Sequence, residues 1–152
     1  MDQFPTLQDS ARKREDNRGW LQVLYESDAM VLKRSFSKAG VFRGLHVQVA
    51  PSPQVKLIRV GSGRIIDFLV DLGDDTKTIH RKEIGPEQDW VMIDAQYAHG
   101  FYAVEDTIFE YVCDGGYDEG NEKAFSITDY LEAELGLGNL ILSDKDRASP
   151  PL

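Results

Sequence analysis

The sequence predicts an all-β fold, a jelly-roll-like barrel, and three observations carry that prediction. Between Trp20 and Cys113, short runs rich in β-branched and aromatic residues recur, punctuated by Gly, Pro and Asp clusters at the spacing of a sandwich or barrel. Residues 55–60 alternate, with Lys56, Ile58 and Val60 on one face and Val55, Leu57 and Arg59 on the other. Only one stretch, residues 128–135, has a helical pattern.

The elements follow in order. Residues 1–15 are polar and carry Arg12, Lys13 and Arg14, which reads as an N-terminal arm or an edge strand. Strands are expected at 20–24, 31–35, 42–49, 55–60, 64–71, 78–84, 90–93, 99–103 and 108–113, with turn chemistry between them. Residues 64–71 are apolar at nearly every position, the pattern of a strand buried on both sides. Thr128 or Asp129 is the expected cap of the helix and Gly136 its end. The remaining tail, rich in polar residues and ending in prolines, reads as irregular. The whole of 1–152 forms one domain on this reading.

Composition narrows the function. With 17 basic against 26 acidic residues the net charge is −9, which disfavours a nucleic-acid binder that must neutralise phosphates. No apolar run is long enough to span a bilayer, and the N-terminus lacks the apolar core of a secretory signal. A single cysteine, Cys113, excludes an intramolecular disulfide and reads as core packing. The expectation is an acidic cytoplasmic protein without membrane or nucleic-acid partners.

Ionisable residues on core strands are the anomaly. Arg43, His46, Lys56, His99 and Tyr111 lie on expected strands, and Asp146 lies in the tail. A ligand cavity inside a barrel accommodates such inward polar groups. Parity sets a puzzle: Arg43 and His46 fall on opposite faces of a regular strand, unless Gly44 supports a bulge that re-aims one of them. A metal site is not expected, because the three histidines show no H-x-H pair or i, i+4 spacing and Gln48 stands where a second ligand belongs. His80 sits in a charged outer strand, and no phosphate loop, dinucleotide turn or nucleophile elbow is present.

At residues 38–46, Lys-Ala-Gly-Val-Phe-Arg-Gly-Leu-His, and 53–60, the chain resembles the dTDP-4-dehydrorhamnose 3,5-epimerase family. The matches continue in order. Asp16–Asn17–Arg18–Gly19 is similar to its D-x-R-G and Asp67, Val70 and Asp71 to its D-V-x-V-D. Ala98–His99–Gly100–Phe101 is similar to its A-H-G-F. Thr107, Tyr111, Cys113, Tyr117 and Glu122 follow its next strand and loop, and residues 142–146 its L-S-x-K-D. The resemblance implies a cupin-type jelly roll that dimerises by exchanging N-terminal strands. It also implies epimerisation, without metal or cofactor, beside the C4 ketone of a nucleotide-linked 4-keto-6-deoxy sugar.

Carried onto this sequence, the resemblance makes His46 the general base and Asp146 its paired carboxylate. Lys56 becomes the cation near the C4 oxygen, and Tyr111 the acid on the opposite face. Arg18, Arg43 and Lys145 match positions that hold the diphosphate or nucleotide, and His99 and Glu122 match sugar or substrate contacts. There are departures. Val31 and Lys33 replace the usual Gln and Asn, Val23 replaces a glutamate, the W-N-D-P segment is Ile127–Thr128–Asp129–Tyr130, and the usual C-terminal extension is missing. These changes leave the nucleotide base and the sugar open. The rival readings are a 3,4-ketoisomerase of the same fold, a non-catalytic sugar-nucleotide binding module and a metal-dependent oxygenase.

Overall fold

A computed structural model describes residues 6–7, 12–115 and 118–152, and places the strands in two antiparallel sheets packed face to face. The first sheet runs in the order β1 (Lys13–Asp16), β2 (Gly19–Glu26), β3 (Met30–Ser37), β10 (Thr107–Asp114), β5 (Val55–Ser62), β8 (Val91–Ile93). The second runs β11 (Glu122–Ala124), β4 (Phe42–Gln48), β9 (Tyr97–Ala103), β6 (Ile65–Asp71), β7 (Ile79–Ile84). All nine expected strands are present, and the pairing of distant strands such as β3 with β10 and β4 with β9 gives the jelly-roll topology.

Sequence periodicity explains the layering. On β5, Ile58 and Val60 are 1% exposed and Leu57 is 39% exposed, so the alternation read from the sequence separates core from surface. Ile58, Val60, Ile65, Ile84, Ile93, Phe101 and Phe109 fill the space between the sheets. Each such side chain contributes about 2 kcal/mol on burial, so this cluster holds one sheet on the other. The second sheet is buried on its other face as well. Phe42, Leu45, Phe68 and Val70 pack there against Ile127, Leu131 and Leu142 of the C-terminal segment. That explains the nearly unbroken apolar run of β6, which is a middle layer.

Two local expectations are corrected, and one open reading is resolved. Helix α1 (Thr128–Leu135) forms, and Gly136 ends it at φ 66°, but its N-cap is Ile127 rather than Thr128 or Asp129. The free amide of Thr128 donates to Ser126 Oγ instead, at 3.3 Å. The tail is not irregular throughout: Asp144–Arg147 forms a one-turn helix, α2, capped by Ser143. Within the N-terminal arm, Lys13–Asp16 is the edge strand β1, paired with β2. The rest of that arm falls largely outside the described residues, as does Tyr117. Among the described residues no helix is long and apolar enough to cross a membrane.

Candidate active site

A cavity of about 760 Å³ is lined by residues of both sheets. All nine residues singled out from the sequence line it: His46, Asp146, Tyr111 and Lys56, together with Arg18, Arg43, His99, Glu122 and Lys145. They arrive from both walls. Lys56 and Tyr111 stand on β5 and β10 of the first sheet, whereas Arg43, His46 and His99 stand on β4 and β9 of the second.

The parity puzzle is solved by a bulge. Arg43 lies opposite Phe101 and His46 lies opposite His99, so three steps along β4 match two along β9. Two residues of opposite parity are thereby brought to the same face. Gly44 is the residue that permits it. Its φ is +119°, and a Cβ there would lie 2.7 Å from both Gly100 Cα and the His99 carbonyl oxygen. Gly100 is the reciprocal case, since a Cβ would meet the Arg43 carbonyl at 2.5 Å.

The bulge also feeds the dyad. His46 Nε2 lies 2.7 Å from Asp146 Oδ1, and the Gly44 amide donates to Asp146 Oδ2 at 3.1 Å. Asp146 is held at that place by α2, where its own amide donates to Ser143 Oγ. Burial alone pushes the Asp146 carboxyl up. The hydrogen bond and charge of His46 and the Gly44 amide outweigh it, and the net shift is downward. An ionised carboxylate accepts from His46 Nε2–H, which leaves the lone pair on Nδ1.

The facing wall is cationic. Burial pushes the Lys56 ammonium down from the ordinary lysine range, and Lys33 pushes the same way, against opposing pulls from Cys113, Glu122 and Asp67. Tyr111 is half-buried beside Phe109, with ring centroids 5.5 Å apart. Burial pushes its phenol up, Cys113 and Glu122 add to this, and Arg43 and Arg18 act against it. Arg43 is pushed down to about 10, chiefly by burial and secondly by Arg18. Its guanidinium donates to Ser37 Oγ at 2.8 Å and to the Phe36 carbonyl at 3.0 Å, so its orientation is fixed. Arg18 is forked onto Asp16, and Lys145 is paired with Glu122 at the rim.

Three contributions escaped the sequence reading. Asp67 accepts from or pairs with His99 Nε2 at 2.6 Å, both groups nearly fully buried, and His99 lies against Phe109 with rings 6.4 Å apart. The β6–β9 register, with Asp67 opposite Phe101 and Leu69 opposite His99, places them diagonally on one face, but that register is a tertiary fact. Ser35, 1% exposed on β3, lines the cavity with an Oγ that has no partner among the described residues. Arg12 and Arg14, read only as a basic cluster, line the same cavity.

Comparisons with known proteins identify the family. The chain matches the family model for dTDP-4-dehydrorhamnose 3,5-epimerase over residues 7–152. It is 28% identical over 155 residues to the Streptomyces griseus dTDP-4-dehydrorhamnose 3,5-epimerase, covering 89% of this chain and 76% of that one. It is 32% identical over 132 residues to the Mycobacterium tuberculosis protein of the same name, covering 81% of this chain and 65% of the relative. The fold is similar to the crystal structure of a Legionella pneumophila dTDP-6-deoxy-D-glucose-3,5-epimerase in complex with dTDP-4-keto-L-rhamnose. There the TM-score is 0.69, the identity 28%, and the coverage 93% of this chain and 84% of that one. The chain thus spans a little under two thirds of the length of the mycobacterial relative.

Proposed function

The chain belongs to the dTDP-4-dehydrorhamnose 3,5-epimerase family, and from that premise we propose that it epimerises a nucleoside-diphosphate-linked 4-keto-6-deoxy sugar at C3, C5 or both. One observation carries the reading: a His–Asp dyad on one wall of the cavity faces a tyrosine and a half-buried lysine on the other. Inversion at a carbon beside a ketone needs a base on one face and an acid on the opposite face, and the two sheets supply one each.

In this reading His46 Nδ1 removes the proton α to the C4 ketone, and Asp146 stabilises the imidazolium that results. The C–H electrons move into the ring as an enolate, whose C4 oxygen gains negative charge beside Lys56. A fixed cation in a partly dry cavity is worth more there than in water. Tyr111 then gives its proton to the opposite face of the carbon. Arg18 and Arg43, with Lys145 at the rim, neutralise the diphosphate, as guanidinium groups do well. The steps need no metal or cofactor, and among the described residues no group of three His, Cys, Asp or Glu side chains is placed to hold a metal ion.

The ketoisomerase alternative favours a second histidine two residues after His46. Gln48 stands there, and its side chain instead donates to the Ser52 carbonyl and accepts from the Asp118 amide, away from the cavity. The substrate class follows the Legionella relative, which is described with dTDP-4-keto-L-rhamnose bound. A cytoplasmic homodimer completes the proposal, supported by the exposed edge strand β1 and by Val23 and Tyr25, 40% and 51% exposed on β2. Light scattering on a sizing column gives twice the chain mass if this is right, and the single chain mass if it is wrong.

Proton NMR of dTDP-4-keto-6-deoxyglucose with the protein in deuterium oxide tests the reaction. Deuterium at C3 and C5 with inverted product establishes both centres, and deuterium at one carbon establishes a single-centre epimerase. Absence of both exchange and inversion, with this sugar carried on dTDP, GDP and CDP in turn, refutes the reading.

A further inference from the structure

We propose that Lys33 is a positioning residue for proton donation, with its ammonium seated over the Tyr111 ring to hold the phenol in place and stabilise the phenolate left when the proton departs. The inference rests on the reading of Tyr111 as the acid. Lys33 lies on β3 directly opposite Tyr111 on β10, and cross-strand neighbours project to the same face, here the cavity wall. Its Nζ is 5.6 Å from the Tyr111 ring centroid, within the range at which a cation and an aromatic face attract.

The donation step explains why a cation is needed. The Tyr111 O–H bond breaks, the enolate electron pair forms the new C–H bond, and the oxygen keeps the O–H electron pair as a phenolate. Water returns the proton afterwards, and nothing is oxidised or reduced. A phenolate inside the cavity is costly unless charge compensates it. Charged or titratable groups reach the cavity around the phenol from several elements. Arg43 comes from β4, Lys56 from β5, Glu122 from β11, Cys113 from β10 itself and Arg18 from the turn before β2. Arg43 is committed to Ser37 and the Phe36 carbonyl, and Lys56 lies opposite Cys113, one inward position further along β10. Among the described residues, Lys33 is the cation that sits on the ring face. Its neighbour Phe109 closes another side of the ring, so ammonium and phenyl together define the ring's plane.

The test installs 3,5-difluorotyrosine, an intrinsically more acidic phenol, at position 111 and follows its ionisation by fluorine NMR without substrate. In Lys33→Met the midpoint rises by about one pH unit, a tenfold loss of phenolate stabilisation. Lys33→Arg, which keeps the cation, restores it. With natural tyrosine, Lys33→Met lowers kcat about tenfold at a nearly constant KM, and Lys33→Arg recovers most of it. Thermal melts of both variants confirm that they fold. An unchanged fluorine midpoint in Lys33→Met overturns the inference, as does a rise in KM at constant kcat, which makes Lys33 a substrate anchor. The two readings fail separately. Full activity in Tyr111→Phe removes the acid assignment, while the fluorine titration still decides whether Lys33 stabilises a phenolate at 111.

Discussion

Asp146→Asn is the sharpest perturbation of the dyad, because it keeps the shape and removes only the charge and one acceptor. Asp146 now accepts from two donors, His46 Nε2–H through Oδ1 and the Gly44 amide through Oδ2. An asparagine has one oxygen and one NH2 for those two places. If the oxygen faces His46, the NH2 confronts the Gly44 N–H, two donors with nothing between them. If the oxygen faces Gly44, the NH2 donates to Nε2 and forces the proton onto Nδ1, where the base needs its lone pair. Either arrangement costs about 1 to 2 kcal/mol as an unmade buried hydrogen bond or a wrong tautomer. The developing imidazolium also loses its counter-charge. A full pair at about 4 Å and an effective dielectric of about 20 is worth about 4 kcal/mol, so a half-formed charge loses about 2. The sum is about 3 to 4 kcal/mol, a fall of about 200- to 1000-fold in kcat.

Deuterium exchange at the sugar carbons, followed by NMR under single-turnover conditions, measures that fall without interference from product release. Stability supplies an independent arm with its sign fixed. A carboxyl whose folded pKa is depressed contributes stability that is fully present above the ordinary aspartate value of 3.8 and is lost as pH falls through its folded value. The stability gap between wild type and Asp146→Asn is therefore largest at neutral pH and closes in acid. Exchange within threefold of wild type in a folded Asp146→Asn protein refutes the dyad, whatever the stability data show.

The remaining predictions bear on the cavity walls. Gly44→Ala lowers stability by about 3 kcal/mol, since the added methyl meets the β9 backbone and the φ of +119° disfavours any side chain; chemical denaturation measures it. Ser35→Ala removes a buried hydroxyl with no partner among the described residues, so the melting temperature holds or rises while KM rises about fivefold if that hydroxyl meets substrate. Lys56→Met lowers kcat about 10²- to 10³-fold by removing the charge beside the enolate oxygen. In the wild type, burial depresses the Lys56 ammonium, so the alkaline loss of kcat sets in below the 10.5 of an ordinary lysine as the cation deprotonates. An alkaline limb in Lys56→Met identical to the wild type's assigns that limb to another group.

What the sequence made legible follows a physical line. Most of strands β2 to β10 were readable because they alternate or run nearly unbroken in apolar residues, and burial leaves that imprint on the chain itself; β7, exposed at its four central positions, was marked instead by the turn residues on either side. β1 carries no such imprint: Lys13–Asp16 is exposed at every position and is a strand only because β2 pairs with it. α2 is one turn long, too short for a periodicity, and exists because Ser143 caps it and Asp146 is drawn to His46 and Gly44. The same distinction runs through the site. His46, Lys56 and Tyr111 were visible as ionisable residues out of place on core strands, whereas the partnership of Asp67 with His99 depends on the register of β6 against β9.

Gly44 lies between these cases and explains why the site needed a structure. From sequence it marked a point where a bulge was possible, and parity forbade Arg43 and His46 from sharing a face without one. Only the offset in pairing, Arg43 to Phe101 and then His46 to His99, turns both side chains inward. The same glycine approaches Gly100 too closely for any side chain and gives its amide to Asp146. One residue without chemistry of its own thus aims Arg43 and His46 and helps ionise Asp146. For that reason Gly44→Ala should cost more activity than its loss of stability accounts for. Exchange rates measured well below the melting temperature, where the variant is fully folded, separate the two effects, and wild-type rates there would show that the bulge serves folding alone.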